Sequence, residues 1–328
     1  DAQIVIRNNW IAENHYLTST SAFGGGLYAY LNGTQRLEIL DSHIYRNTST
    51  ASSPTGNASG GGIFIQARDD STYLVDGCDV YENSVVGNGG QRAGGGLYHS
   101  AERNSKGLIS DTFMFGNTIL GTGNSKGSGG SLKASGAAIV EVVRSGWAEN
   151  TVDSGDATAQ LFYEVEGGSH VLRMTDSGLA QGDSGGLEVH AASNGSVQLV
   201  NLTVADHPGT GILATQEDTS TLAIYNTISY DNGTDLTTSG TIDTGSNLIG
   251  VDPLFVDPLN LDYFLSAGSP AENMGDNYPP GGLSPVDIEG SSRVVDGIVD
   301  IGFAEGIDVI FACSFETGDL TTWVDDGD

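Results

Sequence analysis

The chain has 328 residues and a formal charge of −30, from 42 acidic against 12 basic side chains. This balance argues against nucleic acid, anionic membranes and acidic polysaccharides as partners, because each would be repelled, whereas neutral glycans, divalent cations and basic surfaces stay compatible. Glycine accounts for 48 residues without a Gly-X-Y period, which excludes a collagen-like chain.

Two cysteines, Cys78 and Cys313, are too few for a disulfide framework or a CxxC metal site. One disulfide between Cys78 and Cys313 is compatible with the sequence, although two unpaired thiols are the simpler expectation. No apolar run of about 18 residues is present, so no transmembrane segment is predicted. The first residues, DAQIVIRNNW, read as the middle of a repeat, and we expect the chain to be a piece of a longer protein.

Glycine blocks recur in front of short apolar segments, as FGGGLYAY at 23–30, SGGGIFIQ at 59–66 and AGGGLYHS at 93–100. An apolar residue follows each block at intervals of 25 to 36 residues, and an asparagine marker keeps step with it. Two markers with matched spacing indicate an internal repeat. The apolar series is Leu27, Ile63, Leu97, Leu132, Leu161, Leu187 and Ile212, and the second series is Asn14, Asn47, Asn83, Asn117 and Asn150, continued by Gln181, Asp206 and Asp231.

A third column contains residues that favour tight turns: Asn8, Asp41, Asp76, Asp111, Asp176, Asn201 and Asn226, interrupted by Arg144. The segments between markers are short and alternate with period two, which favours strands over helices. Such strands can pair only with the equivalent strand one repeat away, about 4.8 Å along a common axis. We therefore predict an all-β fold, a right-handed parallel β-helix of about eight coils over 1–250, with Leu27, Ile63, Leu97 and Leu132 in one inward row.

Each repeated residue type receives a structural role. The glycines are expected to allow positive φ or the close approach of the next coil, and to bind nothing. The asparagines are expected to hydrogen-bond to one another in a ladder. The longest loops should project together as a polar shelf on one side of the N-terminal half, either as a binding surface or as tolerated insertions; they are 15–23, 48–59, 84–93 and 118–128.

Asp41, Asp76 and Asp111 recur 35 residues apart and would stack on successive coils of such a fold. Stacked carboxylates repel one another unless they are protonated or bridged, and Ca²⁺ takes such oxygen ligands. A calcium site on these three residues is therefore one hypothesis, and turn formation alone is the alternative. No other cofactor is predicted.

Residues 251–309 do not repeat, and we expect them to cap the open end of the solenoid, with a tail at 310–328. This block resembles the C-terminal region of bacterial secreted β-helix proteins of the choice-of-anchor Q type, and departs from it at 272–274 and 303–305. The tail segment IFACSFETGDLTTW resembles a C-terminal signature of exported Gram-negative proteins. The resemblance implies an exported, surface-located bacterial protein and no reaction. Its matching residues are Asp252-Pro253-Leu254-Phe255, Asp262-Tyr263, Gly268-Ser269-Pro270-Ala271, Gly275, Arg293 and Val299-Asp300-Ile301-Gly302.

No catalytic residues are predicted. The pair Asp69-Asp70 lacks the Gly-His-Gly and Arg-Ile-Lys segments of a pectin-hydrolase-like site, and reads as a solvated turn. The histidines form no recognisable nucleophile–base arrangement and are expected to be isolated surface residues. They are His15, His43, His99, His170, His190 and His207.

The leading hypothesis is an exported, non-enzymatic β-helix scaffold that acts as a cell-surface, adhesive or extracellular-matrix protein, with glycans or other surface proteins as partners. The alternative is a polysaccharide-active enzyme, a glycoside hydrolase or lyase, with carboxylates in a groove beside the long loops. A third expectation is end-to-end self-association through unpaired strand edges of the N-terminal coil. The sequence assigns no ligand-binding residue.

Overall fold

The computed structural model describes residues 2–153, 159–165, 167–295 and 297–305. In this part of the chain there is no α-helix, and every strand pair between residues 3 and 249 is parallel. Each strand pairs with the equivalent strands of the neighbouring repeats, as predicted from the spacing. The structure is therefore a stacked parallel β-helix, while its handedness and its number of coils stay predictions.

The largest sheet, sheet 1, has two rows of strands. The first row consists of β1 (Gln3–Arg7), β6 (Arg36–Leu40), β11 (Thr72–Asp76), β16 (Lys106–Ser110), β21 (Ile139–Val143), the first halves of β25 (Val171–Ala180) and β27 (Ser196–Ala205), then β29 (Thr221–Tyr225) and β32 (Asp243–Gly245). The second row consists of β2 (Trp10–Ala12), β7 (His43–Tyr45), β12 (Asp79–Tyr81), β17 (Phe113–Phe115), β22 (Gly146–Ala148), the second halves of β25 and β27, β30 (Ile228–Tyr230) and β33 (Leu248–Ile249).

Sheet 2 faces sheet 1 across the core, and its strands follow the glycine blocks. They are β5 (Leu27–Leu31), β10 (Ile63–Ala67), β15 (Leu97–Ala101), β20 (Gly130–Ala134), β24 (Ala159–Val165), β26 (Gly185–Ala191), β28 (Thr210–Gln216) and β31 (Thr234–Ser239). Inward side chains of the two sheets form one continuous apolar core from Leu31 to Ile224. Each buried side chain of this size contributes about 1.5–3 kcal/mol to the free energy of unfolding.

The polar segments predicted as a loop shelf form two further parallel sheets. Sheet 3 contains β3 (His15–Thr18), β8 (Thr48–Ala51), β13 (Ser84–Gly87), β18 (Thr118–Leu120) and β23 (Thr151–Val152), and sheet 4 contains β4 (Ala22–Phe23), β9 (Ala58–Ser59), β14 (Arg92–Ala93) and β19 (Ser125–Lys126). Small apolar side chains, among them Ala51, Val85 and Ile119, form a second core beneath them. These segments escaped prediction as strands because they are only two to four residues long, too short to show a regular alternation of apolar and polar residues.

One residue of the predicted inward row of sheet 2, Leu132, lies at a different position from the one predicted. Gly130 pairs with Leu97 on one side and with Leu161 on the other, so Leu132 lies opposite His99, two residues from its predicted place. The space at Gly130 is filled from sheet 1, because a Cβ there would lie 3.1 Å from Nε1 of the buried Trp147. A large residue on one sheet thus compensates for a missing side chain on the other.

The glycine blocks serve both of the predicted purposes, positive φ and the close approach of the next coil. The first glycine of a block, such as Gly60, has φ +62°, in the left-handed region that favours glycine. At the second, Gly61, a Cβ would lie only 2.3 Å from the carbonyl oxygen of Gly95 in the next coil. The third, Gly62, lies against the side chain of Asn83, so it makes room for the asparagine ladder.

The asparagine ladder runs from Asn14 through Asn47, Asn83 and Asn117 to Asn150. In each step, Nδ2 and the backbone N–H donate to Oδ1 of the next asparagine at 2.9–3.1 Å. From Asn47 onward, Nδ2 also donates to a backbone carbonyl of the preceding coil. Both amide hydrogens and the carbonyl oxygen are therefore used, and the predicted structural role is confirmed.

Beyond Asn150 the ladder continues through different residues. The register places Gly182, His207 and Asn232 in the asparagine column, one residue after the predicted Gln181, Asp206 and Asp231. Gln160 enters the space at Gly182, accepts from Asn150 Nδ2 at 2.8 Å, and lies 2.8 Å from His207 Nε2.

The ladder continues from His207 to Asn232, whose Oδ1 lies 2.9 Å from Nδ1 of the histidine ring. Since Oδ1 can only accept, Nδ1 carries the proton and Nε2 accepts from Gln160. The ladder therefore keeps one donor-to-acceptor direction. Burial lowers the pKa of His207 to about 4, although the hydrogen bond to Asn232 opposes this.

The C-terminal block packs on the outer face of sheet 1, and it contains the antiparallel pair β34 (Phe255–Asp257) and β35 (Asp262–Leu265) around a 3₁₀ turn at Pro258–Asn260. Its aromatic residues Tyr263, Phe264 and Phe303 pack on Ala180 and Ala205. In coils that it does not cover, the same row has Tyr45, Tyr81 and Phe115, stacked at 4.9 and 4.8 Å. The block therefore covers a flank of the solenoid, whereas β31 in the last coil is largely exposed.

Arg293 joins this block to the solenoid from a fully buried position. Its Nε lies 3.3 Å from Asp176 Oδ1 on the turn of β25, and its Nη1 lies 3.4 Å from Glu305 Oε1. Burial raises the pKa of both carboxyl groups, that of Glu305 to about 8, while the guanidinium charge acts in the opposite direction. Removing one partner would leave a buried charge without compensation.

A Gly61→Ala substitution tests the close approach of the coils. The added Cβ would overlap the Gly95 carbonyl, so we expect the free energy of unfolding to fall by about 3 kcal/mol. Urea unfolding followed by circular dichroism measures it. The control is Gly87→Ala, whose Cβ would meet only ordinary contacts at 3.6 Å and should change stability by less than about 1 kcal/mol. Equal effects of the two substitutions would contradict the argument.

The buried histidine predicts a loss of stability in acid. Because the folded-state pKa of His207 is about 4, below its ordinary value, the unfolded chain binds an extra proton between about pH 6.5 and 4, and stability falls as pH falls through that window. Asparagine cannot be protonated in this range. Between the same pH values, the free energy of unfolding of His207→Asn should therefore fall by on the order of 3 kcal/mol less than that of the wild type.

The measurement is urea unfolding at several pH values, with the exposed His15→Asn as the control. Since the other titrating groups are common to all three proteins, the difference between the curves reports His207. Parallel pH curves for wild type and His207→Asn would contradict the prediction.

Candidate functional site

A groove of about 460 Å³ lies on the outer face of sheet 2, next to sheet 4. Its floor comes from β10, β15 and β20 with the residues that follow β15 and β20, and its wall comes from segments that precede the strands of sheet 2. Most of its lining is uncharged and polar, with three aromatic side chains. The lining residues are Phe23, Asn57, Ser59, Phe64, Gln66, Gln91, Tyr98, Ser100, Glu102, Lys133 and Ser135.

Strand alternation explains which side chains face the groove. On β10, Ile63 and Ile65 point into the core, so Phe64 and Gln66 point outward. Parallel register then aligns equivalent outward residues of successive strands in two rows. The aromatic row is Tyr28, Phe64, Tyr98, Ser131 and Phe162, and the polar row is Tyr30, Gln66, Ser100, Lys133 and Glu164.

The aromatic row is a stack of rings. Phe64 lies 5.2 Å from Tyr28 and 5.0 Å from Tyr98, with interplanar angles of 10° and 13°. Since the rings cover one another's faces, they present their edges outward. Ring edges carry partial positive charge, so this floor is apolar and yet complementary to oxygen atoms.

The polar side chains of the groove are held in place by hydrogen bonds. Glu102 accepts from Gln66 Nε2 and from Arg68 Nε, each at 2.8 Å. Arg68 also donates from Nη1 to the hydroxyl of Tyr30 at 3.1 Å. These contacts link three neighbouring strands and fix a carboxylate acceptor at the groove edge before any ligand arrives.

A charged cluster of Lys126, Glu164, Glu188 and His190 lies around Phe162, on the same face as the groove. Lys126 Nζ is 2.8 Å from Glu164 Oε2 and 4.6 Å from the centre of the Phe162 ring. His190 Nε2 is 2.7 Å from Glu188 Oε1. The hydrogen bond to Glu188 raises the pKa of His190.

The sequence does not predict this cluster, because Lys126 lies in a segment expected to be a loop and His190 is expected to be an isolated surface residue. His99 and His190 lie in different columns of sheet 2, because the register aligns His99 with Leu132, Tyr163 and Val189. His99 points into the core beside Tyr73, with ring centroids 4.7 Å apart, and burial lowers its pKa to about 3. The expectation of surface histidines is wrong for His99, His170 and His207, all of which are buried.

The predicted aspartate column is not a single column. Asp76 pairs with Leu40 and Ser110, and Gly77, with φ +61°, takes the turn position between Asp41 and Asp111. Arg144, which interrupted the series, binds Asp111 through two contacts at 2.8 and 2.6 Å. The stacking that motivated the calcium hypothesis is therefore absent at Asp76, which ends β11, whereas Asp41 and Asp111 occupy turn positions with positive φ.

The remaining candidates have ordinary surroundings. Asp69 pairs with Arg103, and Asp70 accepts from Asn104 at 3.2 Å, in a turn as predicted. The Cys78 thiol is buried and unpaired, and burial raises its pKa to about 12. Cys313 and the rest of the tail at 310–328 lie outside the described residues.

Searches of the described ranges find no group of three or more His, Cys, Asp or Glu side chains arranged to hold a metal ion. In the same ranges no helix has the length and hydropathy needed to cross a membrane. Comparison with protein-family models, with characterised proteins and with solved structures gives no significant match. The groove and the charged cluster are therefore the features of the molecule that bear on its function.

The His190–Glu188 contact predicts a titration change. Glu188→Gln weakens the hydrogen bond that raises the pKa of His190 and removes the negative charge that adds to it, so we expect that pKa to fall. A pH titration of the histidine ring resonances by NMR measures it. The control is Glu38→Gln, which changes a carboxylate paired with Arg36 on sheet 1 and should leave the pKa of His190 unchanged. An unchanged His190 titration in Glu188→Gln would contradict the assigned cause.

Proposed function

We propose that this chain is a glycan-binding β-helix scaffold whose groove on sheet 2 holds a linear, uncharged saccharide. The observation that carries the proposal is the polar row of Gln66, Ser100 and Lys133 beside the stacked edges of Phe64 and Tyr98. Its members repeat once per coil, about 4.8 Å apart, which is close to the length of one sugar residue. A chain of sugars along the groove would meet similar groups at each residue.

The chemistry of the lining favours hydroxyl groups. Amide, hydroxyl, ammonium and carboxylate groups alternate along the groove, so both donors and acceptors are available within one sugar residue. The net charge of −30 opposes a polyanionic ligand at long range. A neutral polysaccharide satisfies both conditions.

The setting of this activity is also part of the proposal. The resemblance of residues 251–309 to the C-terminal region of choice-of-anchor Q type proteins supports export to a bacterial cell surface or matrix. A rigid solenoid with a glycan groove on one face suits an adhesive or matrix-forming role. No reaction is needed for that role.

The second candidate is a polysaccharide-active enzyme, and one observation favours it. Glu164 and Glu188 lie on the same outer face of neighbouring strands, because Glu188 is paired with Phe162, two residues from Glu164. Glycosidases use two carboxyl groups across the scissile bond. Glu164 already has a cationic partner in Lys126, and Glu188 has a hydrogen-bond partner in His190, and we therefore place binding first.

Substitutions in the polar row test the proposed function. We expect Gln66→Ala and Lys133→Ala each to weaken binding of a neutral oligosaccharide about tenfold, since each removes hydrogen bonds to hydroxyl groups. A glycan array selects the oligosaccharide, and calorimetry measures its affinity. The matched control is Lys106→Ala, an exposed lysine on sheet 1, which should bind as the wild type does.

The same oligosaccharide, incubated with the protein and assayed for new reducing ends, separates the two candidates. Binding without release of reducing ends supports the scaffold. Release of reducing ends favours the enzyme. Absence of binding to every saccharide on the array, or equal binding by the groove variants and the wild type, would overturn the groove as a glycan site.

A further inference from the structure

We propose that the charged cluster is a second saccharide subsite continuous with the groove, so that the ligand is a long neutral polysaccharide lying along the solenoid axis across at least five coils. This inference rests on the proposed function, and it deepens that function by assigning the ligand's length and direction. It also gives a role to Lys126, Glu164, Glu188 and His190.

The cluster and the groove share one face and one register. Ser100 pairs with Lys133, and Lys133 pairs with Glu164, so the polar row of the groove passes directly into the cluster. The next strand adds Glu188 opposite Phe162, and His190 follows two residues later on the same outer face. A chain that leaves the groove along the axis therefore meets the cluster.

The cluster offers fixed hydrogen-bonding groups to such a chain. A carboxylate has two oxygens and about four acceptor sites, so Glu164 keeps acceptor capacity beside its contact with Lys126. Lysine likewise has three donors. Because the charge of Glu164 is paired with Lys126 and Glu188 is hydrogen-bonded to His190, the cluster favours neutral polar groups, such as hydroxyls, over ions.

Exposure shows which members a ligand can reach. The side chains of His190 and Glu164 are 37% and 32% exposed, whereas Glu188 and Lys126 are 11% and 16% exposed. The cluster thus has two accessible groups, each oriented by a more buried partner. Partly exposed ion pairs add little to folding stability, so stability gives little reason to gather two such contacts on one face.

The surrounding fold also keeps this route open. The C-terminal block covers the outer face of sheet 1, where it packs on Ala180 and Ala205. Among the described residues, sheets 3 and 4 extend only as far as β23 and β19, so neither sheet places a further strand beside those that carry Glu164 and His190. A chain bound in the groove can continue over them without obstruction from the described residues.

Binding of a chain-length series tests the inference. The probes are cello-, laminari- and malto-oligosaccharides from disaccharide to heptasaccharide, measured by calorimetry with the full chain. In the series that binds, we expect the affinity of the wild type to keep rising beyond the trisaccharide. The double variant Glu188→Gln, His190→Gln should bind the trisaccharide normally and lose about tenfold for the hexasaccharide.

The matched control is the double variant Asp79→Asn, His43→Gln. It removes the corresponding histidine–carboxylate contact, 3.1 Å long, from the outer face of sheet 1, and it should keep the full gain with chain length. An affinity that levels off at the trisaccharide in the wild type, or an unchanged gain in Glu188→Gln, His190→Gln, overturns the second subsite alone. Absence of binding by every oligosaccharide overturns both the subsite and the proposed function.

Discussion

Backbone hydrogen bonding between successive coils is the constraint on which the rest of the molecule depends. A strand such as β10 has no partner within its own repeat and is satisfied only by β5 and β15, with Ile63 held between Leu27 and Leu97. Unpaired backbone groups in a buried strand are costly, so the register is fixed at every step. Equivalent residues must then lie directly above one another. The asparagine ladder, the aromatic row and the polar row are all consequences of this stacking, and the glycines are required where it brings backbones too close for a Cβ.

The asparagine column shows how the fold preserves a buried hydrogen-bond network when the repeat shortens. A missing side chain at Gly182 would leave the amide of Asn150 without its acceptor, which costs about 1–3 kcal/mol for a buried polar group. Gln160 supplies that acceptor and donates to His207, and His207 in turn donates to Asn232, so the direction of the ladder is kept. Because every donor points the same way, neighbouring bonds polarise one another and the network is strengthened as a unit. A histidine suits this place only while it is neutral, and this makes the column sensitive to acid.

The repeat and the alternation of apolar residues were enough to predict the fold class and the roles of the glycines and asparagines, since both follow from spacing alone. Positions within a coil were less predictable, because one inserted or deleted residue changes the face on which a side chain lies. Gly77 takes the turn position expected of Asp76, and Gly130 takes the inward position expected of Leu132. The charged cluster could not be predicted for the same reason. Lys126 on β19 of sheet 4 and His190 on β26 of sheet 2 come together only around the ring of Phe162. The two-residue strands of sheet 4 are too short to show a periodic signal.

The two outer faces of the solenoid differ in a way that bears on function. On sheet 1, alanines and glycines occur where the C-terminal block packs, and aromatic residues stack on one another in the coils before it. On sheet 2, the corresponding positions change from aromatic to charged along the axis, and the described residues place no other segment over them. Hydrogen bonds between polar side chains on the open face of a sheet contribute little to the free energy of unfolding, because water satisfies the same groups in the unfolded chain. The stacking of the coils accounts for their spacing. What the proposed saccharide would account for is the choice of polar and aromatic side chains at these outward positions, since its repeat is close to the distance between coils.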